Sequence, residues 1–360
     1  MAAKIMLWPS TSSKFVKEAN MKLIYNSLLF LSVVMIINNY YMYSFMYAVK
    51  LLLMIVVAIV LTVESEILFY SHDKDINRKD AKDLIKKSYP KITALIYVLL
   101  IPIGTPLWLV GLGAILGTFL GKLLFGGFAH MVFHTSLVGV LFVTLGWSQL
   151  VDGVAFISSF DNYLLELIFD NNFFNNTLSI GGIHDPELTI TSLGMLTNTG
   201  MYHLDYVFLG LVPGIVGSGL VLTGIFLFLL YKKAINWITP VTMLGAFLFT
   251  AAIIALVKDY DSIYPQYHII FPLYHLFSGS FLFVLVFVVT DPITTPIPTK
   301  GKIIFGLVAG SLTMFIRQGV QYEEGVIFAV LFMMMLTPLL NQSLKAKKVV
   351  KKAPPKKEAV

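Results

Sequence analysis

The sequence predicts an all-α polytopic membrane protein of about ten transmembrane helices, arranged as two inverted five-helix repeats. Three observations predict it. The 360 residues are 57% hydrophobic and 13% charged, with a mean hydropathy of +0.80. A soluble domain of this length could not hide so much apolar side chain. The apolar residues fall into ten segments whose basic flanks lie at alternate turns. The two halves also match each other when the sequence is slid along itself until Pro102 meets Pro292.

The elements follow in order. A basic arm, residues 1–22, carries Lys4, Lys14, Lys17 and Lys22. The first apolar run starts near Leu23. It is too long for the apolar core of a signal peptide and has no small-residue cleavage site behind it, so no cleaved leader is expected. The apolar segments lie at 23–45, 48–70, 91–104, 106–125, 132–154, 206–230, 236–257, 268–290, 302–317 and 324–341. A full crossing needs about 20 residues. The third and ninth are shorter and read as half-helices or strongly packed segments.

Lysine and arginine set the sidedness. The loop 71–90 holds Lys74, Arg78, Lys79, Lys82, Lys86 and Lys87, and the tail 342–360 is basic, with the headgroup-facing character of a disordered end. Lys122, Lys232, Lys233, Lys300 and Lys302 sit at alternate turns. Ten spans with the N-terminus inside place all of these, and both termini, in the cytoplasm. Lys50, Lys258 and Arg317 then fall near the other side.

From Leu123 to Tyr231 there is no lysine or arginine, whereas Asp161, Glu166, Asp170, Asp185, Glu187 and Asp205 all occur. The chain thus divides into a first membrane repeat (23–154), an external loop (155–205) and a second membrane repeat (206–341). The loop reads either as a solvated connection or as a docking or cofactor-bearing segment, with a short amphipathic helix expected around Tyr163–Phe169. Asn175-Asn176-Thr177 within it matches a glycosylation sequon, a pattern with meaning only in a secretory pathway.

The internal match lays Pro102-Ile103-Gly104-Thr105-Pro106 on Pro292-Ile293-Thr294-Thr295-Pro296, Gly111 on Gly301, Phe125 on Phe315 and Val140-Leu141-Phe142 on Val330-Leu331-Phe332. Five spans per half force the halves to be inverted. Such repeats place a site near the bilayer midplane, where interrupted helices meet.

The polar residues inside apolar runs are the candidate functional groups, because an unsheltered charge in lipid is costly. Asp291, before Pro292, reads as a turn cap or as a cation-attracting acid at an interrupted helix. Thr295 and Glu324 belong to the same interrupted region. Arg317 reads as a snorkelling side chain paired with Glu323 or Glu324, or as an anion clamp for a phosphate or flavin. Glu64 and Glu66 close the second span, as interfacial caps of the basic loop or, for Glu64, as part of an ion path. His130 and His134 have the i, i+4 spacing of a helical metal pair, but no third ligand lies nearby, and no metal is expected. The absence of cysteine excludes disulfides, thiolate nucleophiles and cysteine-ligated Fe–S clusters from this chain. Haem is not expected either, and electrons must sit on an organic cofactor or on a partner's metal. The net charge of +6 lies at membrane edges and is no nucleic-acid signal.

Three ordered blocks carry a family resemblance. One runs Ser278-Gly279, Thr290-Asp291-Pro292, Thr295-Pro296, Gly301, Phe305-Gly306, Arg317, Tyr322 and Glu324-Gly325. A second runs Pro102 to Trp108, Gly121-Lys122 and Phe125-Gly126-Gly127, with Phe133 beyond. The third is Ala234-Ile235-Asn236-Trp237 with Pro240. In these the chain resembles the D subunit of the Rnf electron-transport complex and the related B subunit of the sodium-pumping NADH:quinone oxidoreductase.

The resemblance implies a fold similar to urea and ammonium channels, in the plasma membrane of a prokaryote. It also implies a role inside a redox-driven pump for Na⁺ or H⁺, beside other membrane and Fe–S subunits and a second flavin-bearing subunit. The chain would not be active alone. Family members carry FMN through a phosphoester to a threonine in the pattern Asp-Gly-x-Ser-x-Ala-Thr-Pro-Leu. Here Asp185, Thr191 and Leu193 match that pattern, while the glycine, serine and alanine do not. Thr191 is accordingly the flavin anchor or an ordinary loop threonine, with Asp185 beside it. The family's Asn-Pro-Phe-Asn-Pro-Ala becomes Met131-Val132-Phe133-His134-Thr135-Ser136, which alters the expected central site. Two other functions stay open: a small-solute channel of similar fold, and a flavin-less scaffold subunit.

Overall fold

The computed structural model of the chain describes residues 18–42, 45–73, 75–147, 208, 219–258, 267–320 and 324–344. The external loop with Asp185 and Thr191, the arm before Glu18, Tyr322, Glu323 and the basic tail lie outside the described residues.

Among the described residues the secondary structure is helical, and each of the ten apolar segments carries a helix. In the first half these are α1 (Glu18–Met42), α2 (Phe45–Asp73), the short α3 (Arg78–Ile85), α4 (Pro90–Leu99), α5 (Leu107–Thr118) and α6 (Thr135–Gly146). In the second half they are α7 (Gly219–Tyr231), α8 (Ile238–Lys258), α9 (Tyr267–Phe277), α10 (Phe281–Phe283), α11 (Thr299–Phe315) and α12 (Gly325–Ser343). Among the described residues, five helices are long and apolar enough to cross a membrane, and α9 with α10 makes a sixth candidate, bent by 66° at Ser278–Ser280. The chain is a multi-pass membrane protein.

The short third segment is borne out by the ten residues of α4, which starts at Pro90 and stops at the buried loop Ile101–Pro106. The ninth is longer than the apolar pattern suggests. Helix α11 begins at Thr299, after Pro298, and runs on as one π turn (Ile316–Val320). Its first turn is polar, Thr299-Lys300-Gly301-Lys302, and proline fixes the helix entry there irrespective of hydropathy.

In lipid, apolar surface gives helices no reason to associate, so close backbone packing must. Glycines provide it at two crossings. A Cβ at Gly306 of α11 would come within 2.8 Å of the Thr239 carbonyl and the Met243 nitrogen of α8. One at Gly117 of α5 would come within 2.7 Å of Gly139 Cα in α6. Substitution at either crossing forces the helices apart.

The halves share a further feature. Helix α5 also runs into a π turn (Phe119–Leu123), as α11 does. Each of these two π turns holds a buried cation, Lys122 or Arg317, whereas a third, Val284–Val288, is wholly apolar. Lys122 Nζ donates to the Ser88 carbonyl at 2.8 Å, and Arg317 Nη2 donates to the Ser278 carbonyl at 3.2 Å. Ser88 falls on Ser278 under the same shift that lays Pro102 on Pro292. Each precedes a residue with left-handed backbone, Tyr89 (φ 53°) and Gly279 (φ 67°).

Candidate functional site

Helix α2 organises the first half. Lys50, Met54, Ala58, Thr62 and Glu66 recur every four residues and are all buried. That spacing sets them in a stripe that winds slowly around the helix, with a charge at each end roughly 24 Å apart along its axis. Lys50 Nζ donates to the Gly104 carbonyl at 3.0 Å, holding the loop between α4 and α5. At the other end, Glu66 Oε1 meets Lys122 Nζ at 2.5 Å, both side chains being fully buried. Lys122 also lies 5.4 Å from the Phe128 ring centre. Glu66 Oε2 and Ser88 Oγ, both buried, have no hydrogen-bond partner among the described residues.

Glu64, the ion-path candidate, has a different place. It is partly exposed and pairs with Arg78 of α3, as an interfacial cap would. Glu66 is the buried acid, and the four-residue stripe is the signal that distinguishes it.

The second break, Val289–Pro298, is non-helical, and Thr290, Ile293, Thr294 and Thr295 within it are buried. Asp291 Oδ2 accepts from the Thr294 amide (3.1 Å) and from Thr294 Oγ1 (2.7 Å). Thr295 Oγ1 donates to the Asp291 carbonyl at 2.5 Å. Asp291 therefore caps the turn, and none of these bonds uses Oδ1. The same residue lines a cavity of about 40 Å³ with Thr290, His134, Thr135, Tyr89 and Phe287. The first half contributes His134, whose amide donates to Met334 Sδ of α12 at 3.4 Å. Its Nδ1 is buried without a partner among the described residues. A carboxylate, a hydroxyl and an imidazole thus meet where the halves touch, in room for a few waters.

His130 and His134 do not form the helical pair their spacing suggests. His130 ends a 3₁₀ turn (Phe128–His130) and is exposed, while His134 precedes α6 and is buried. The two glycines before them, Gly126 and Gly127, have φ of 94° and 100° and end the helical run. Among the described residues no three metal-ligating side chains converge.

Arg317 and Glu324 do come together, at the bend between α9 and α10. Arg317, 4% exposed, donates to the His275 carbonyl (2.7 Å) and to that of Ser278, and lies over the rings of Phe247 (5.5 Å) and Phe281 (6.0 Å). Burial and these contacts set it apart from a snorkelling side chain. Glu324 Oε2 accepts from Ser280 Oγ and from the Ser280 amide. Gly279 lies between the two charges: a Cβ there would be 3.0 Å from Arg317 Nη2 and 3.1 Å from Glu324 Oε1. Asp291 lies apart from this pair, beyond the segment Phe281–Val288. The three residues that the sequence groups are thus two sites, a bend lock and a cavity.

The two breaks lie at opposite ends of the bundle. The Ile101–Pro106 loop is beside Lys50. The Asp291 cavity includes Met21 and Tyr89, which also border Glu64 at the other end of α2.

Residues 11–350 match the NQR2, RnfD, RnfE family. The chain is 30% identical over 272 residues to the D subunit of the ion-translocating oxidoreductase complex of Actinobacillus succinogenes, covering 70% of this chain and 74% of that protein. It is 27% identical over 281 residues to the corresponding D subunit of Klebsiella pneumoniae, covering 71% and 76%. It is also 27% identical over 255 residues to the B subunit of the Na(+)-translocating NADH-quinone reductase of Chromohalobacter salexigens, covering 69% and 56%.

Proposed function

The chain belongs to the NQR2, RnfD, RnfE family, and from that membership we propose that it is a membrane subunit of a redox-driven ion pump. The complex is of the Rnf type, and its other subunits, Fe–S and flavin-bearing, deliver and remove electrons. This chain provides the gated route for Na⁺ or H⁺, with both termini in the cytoplasm. Its two five-helix halves are inverted. That reading is supported by the breaks at opposite ends and by the two cation-held carbonyls, Ser88 and Ser278, which the internal match aligns although Lys122 falls on Leu312, five residues before Arg317.

The observation that carries the ion route is Asp291. It is a carboxylate in a buried non-helical stretch, facing a cavity built by both halves, with Oδ1 outside the turn's hydrogen bonds. Intramembrane acids persist where they serve such a path. Thr290 and His134 add a hydroxyl and an imidazole to the same wall. Thr295 holds the turn, Glu324 the bend, and Glu64 the mouth at the lysine-rich end. A cavity of about 40 Å³ is too small for an open solute passage and favours a gated ion step over a channel. In proteoliposomes holding the whole complex, Asp291→Asn keeps the shape of the turn and removes the charge. Donor-driven uptake of ²²Na⁺ or protons is expected to fall on the order of tenfold, with protein-bound flavin unchanged. Uptake at the wild-type rate overturns this route. Rapid solute flux through the isolated chain without an electron donor favours the channel.

Thr191, with Asp185 beside it, is the proposed phosphoester anchor for FMN, which when bound supplies electron transfer. Arg317 has two guanidinium nitrogens on backbone carbonyls. That favours a structural lock over a clamp for flavin phosphate. After co-expression with a flavin transferase, the denatured band should fluoresce under ultraviolet light, and Thr191→Val should be dark. A dark wild-type band in an intact complex identifies the flavin-less scaffold instead.

A further inference from the structure

A second cavity, of about 440 Å³, opens at the lysine-rich end between α1, α2, α3 and the start of α4. This is within the range of about 300–1,000 Å³ typical of small-ligand sites. Its floor is apolar, formed by Val63, Ile67, Ile85 and Ile92. Its mouth carries Lys22, Lys82, Lys86 and Lys91, all exposed. Lys22 is paired with Glu18 and Lys86 with Asp83, in solvent-exposed bridges of little strength. Lys82 and Lys91 have no such partner among the described residues. Glu64, the acid of this cavity, is answered by Arg78. The mouth is therefore net positive above an apolar floor.

Helix α3 explains the arrangement. It lies between two apolar helices, α2 and α4, and is strongly polar except for the buried Ala81 and Ile85 and the exposed Leu84. These pack with Ile67, Val63, Tyr70 and Ile76. Such a helix lies along a membrane surface with its apolar side inward. Lys82 and Lys86 then stand at headgroup height and the floor at acyl-chain height.

We propose that this cavity is a binding site for one anionic phospholipid, its phosphodiester held by Lys82 and Lys91 and the upper part of its acyl chain on the Val63–Ile67 floor. Charge complementarity selects the occupant. A neutral amphiphile would use the floor and ignore the lysines, and an acidic peptide would use the lysines and leave the floor empty. Tyr89 and Ile92 also line the Asp291 cavity, so a seated lipid abuts the wall of the proposed ion site.

The test is native mass spectrometry of the delipidated full chain. It is titrated with dioleoylphosphatidylglycerol, with dioleoylphosphatidylcholine and with sn-glycerol 3-phosphate. One phosphatidylglycerol should be retained at least about tenfold more tightly than phosphatidylcholine, and glycerol phosphate should not be retained. Lys82→Gln/Lys91→Gln changes only exposed side chains and should erase most of that preference. Lys232→Gln/Lys233→Gln, at exposed positions outside the cavity, should leave it intact. Equal retention of the two lipids overturns the proposal, as does a preference that survives the Lys82/Lys91 pair. Retention of glycerol phosphate equal to that of the lipid assigns the lysines to a soluble phosphate and also overturns it. None of these outcomes depends on ion transport.

Discussion

Lys122→Met should destabilise the first half of the membrane bundle by about 3–5 kcal/mol, the usual cost of stranding one member of a buried ion pair. Glu66 would be left in a site with no solvent access, without the Nζ that answers it. The Ser88 carbonyl would lose its donor beside the left-handed Tyr89, adding the cost of an unsatisfied polar group. Adding Glu66→Leu should recover much of the loss, because two apolar side chains of similar volume need no partner. The measurement is the melting midpoint of the purified chain in detergent, followed by size-exclusion chromatography. Recovery by the second substitution separates a stranded charge from a simple cavity. If the double variant is as unstable as the single one, the pair is not the source of the effect.

The second large effect is expected at the bend between α9 and α10. Arg317→Leu removes charge-assisted donors from two carbonyls in a packed site, each bond being worth about 1.5–3 kcal/mol. It also leaves Glu324 beside the bend without the nearby guanidinium. Arg317→Lys keeps the charge but has no fork to span His275 and Ser278, so it should rescue only in part. Gly279→Ala should act in the same direction by another cause, since φ of 67° costs about 1–2 kcal/mol for a residue with a Cβ. That Cβ would also press on both charged side chains. Thermal midpoints should rank wild type, then Lys and Ala, then Leu. A leucine variant as stable as wild type would show that the bend is held by packing alone.

Much of the fold is legible in the sequence because hydropathy and lysine placement are one-dimensional signals. The ten apolar segments all carry helix, and the short α4 is visible as a short segment before Pro102. What is lost is whatever depends on the angle around a helix. Lys122 reads as one more lysine at a membrane edge, since sidedness says nothing of burial. Glu64 and Glu66 look alike until α2 is turned so that every fourth residue faces inward, which leaves Glu66 inside and Glu64 at the rim. Arg317, Glu324 and Asp291 look like one constellation because they surround one polar stretch. The helical residues from Phe281 to Val288 hold Asp291 away from the other two. The polar first turn of α11 hides the true start of that helix, because a proline and not an apolar residue sets it. The loop motif around Thr191 is legible only as letters.

The two π-turn cations have a consequence for how the chain tolerates change. Each fastens a kink within its own half, through partners that belong to that half. Damage to one fastener is thus a local injury, and the sister half keeps its shape. The two also differ in chemistry, lysine on a carboxylate in one and arginine over two aromatic rings in the other. An ancestral doubling of one unit would leave such a pair, with the pinned serine retained and the position and kind of the cation that pins it free to drift.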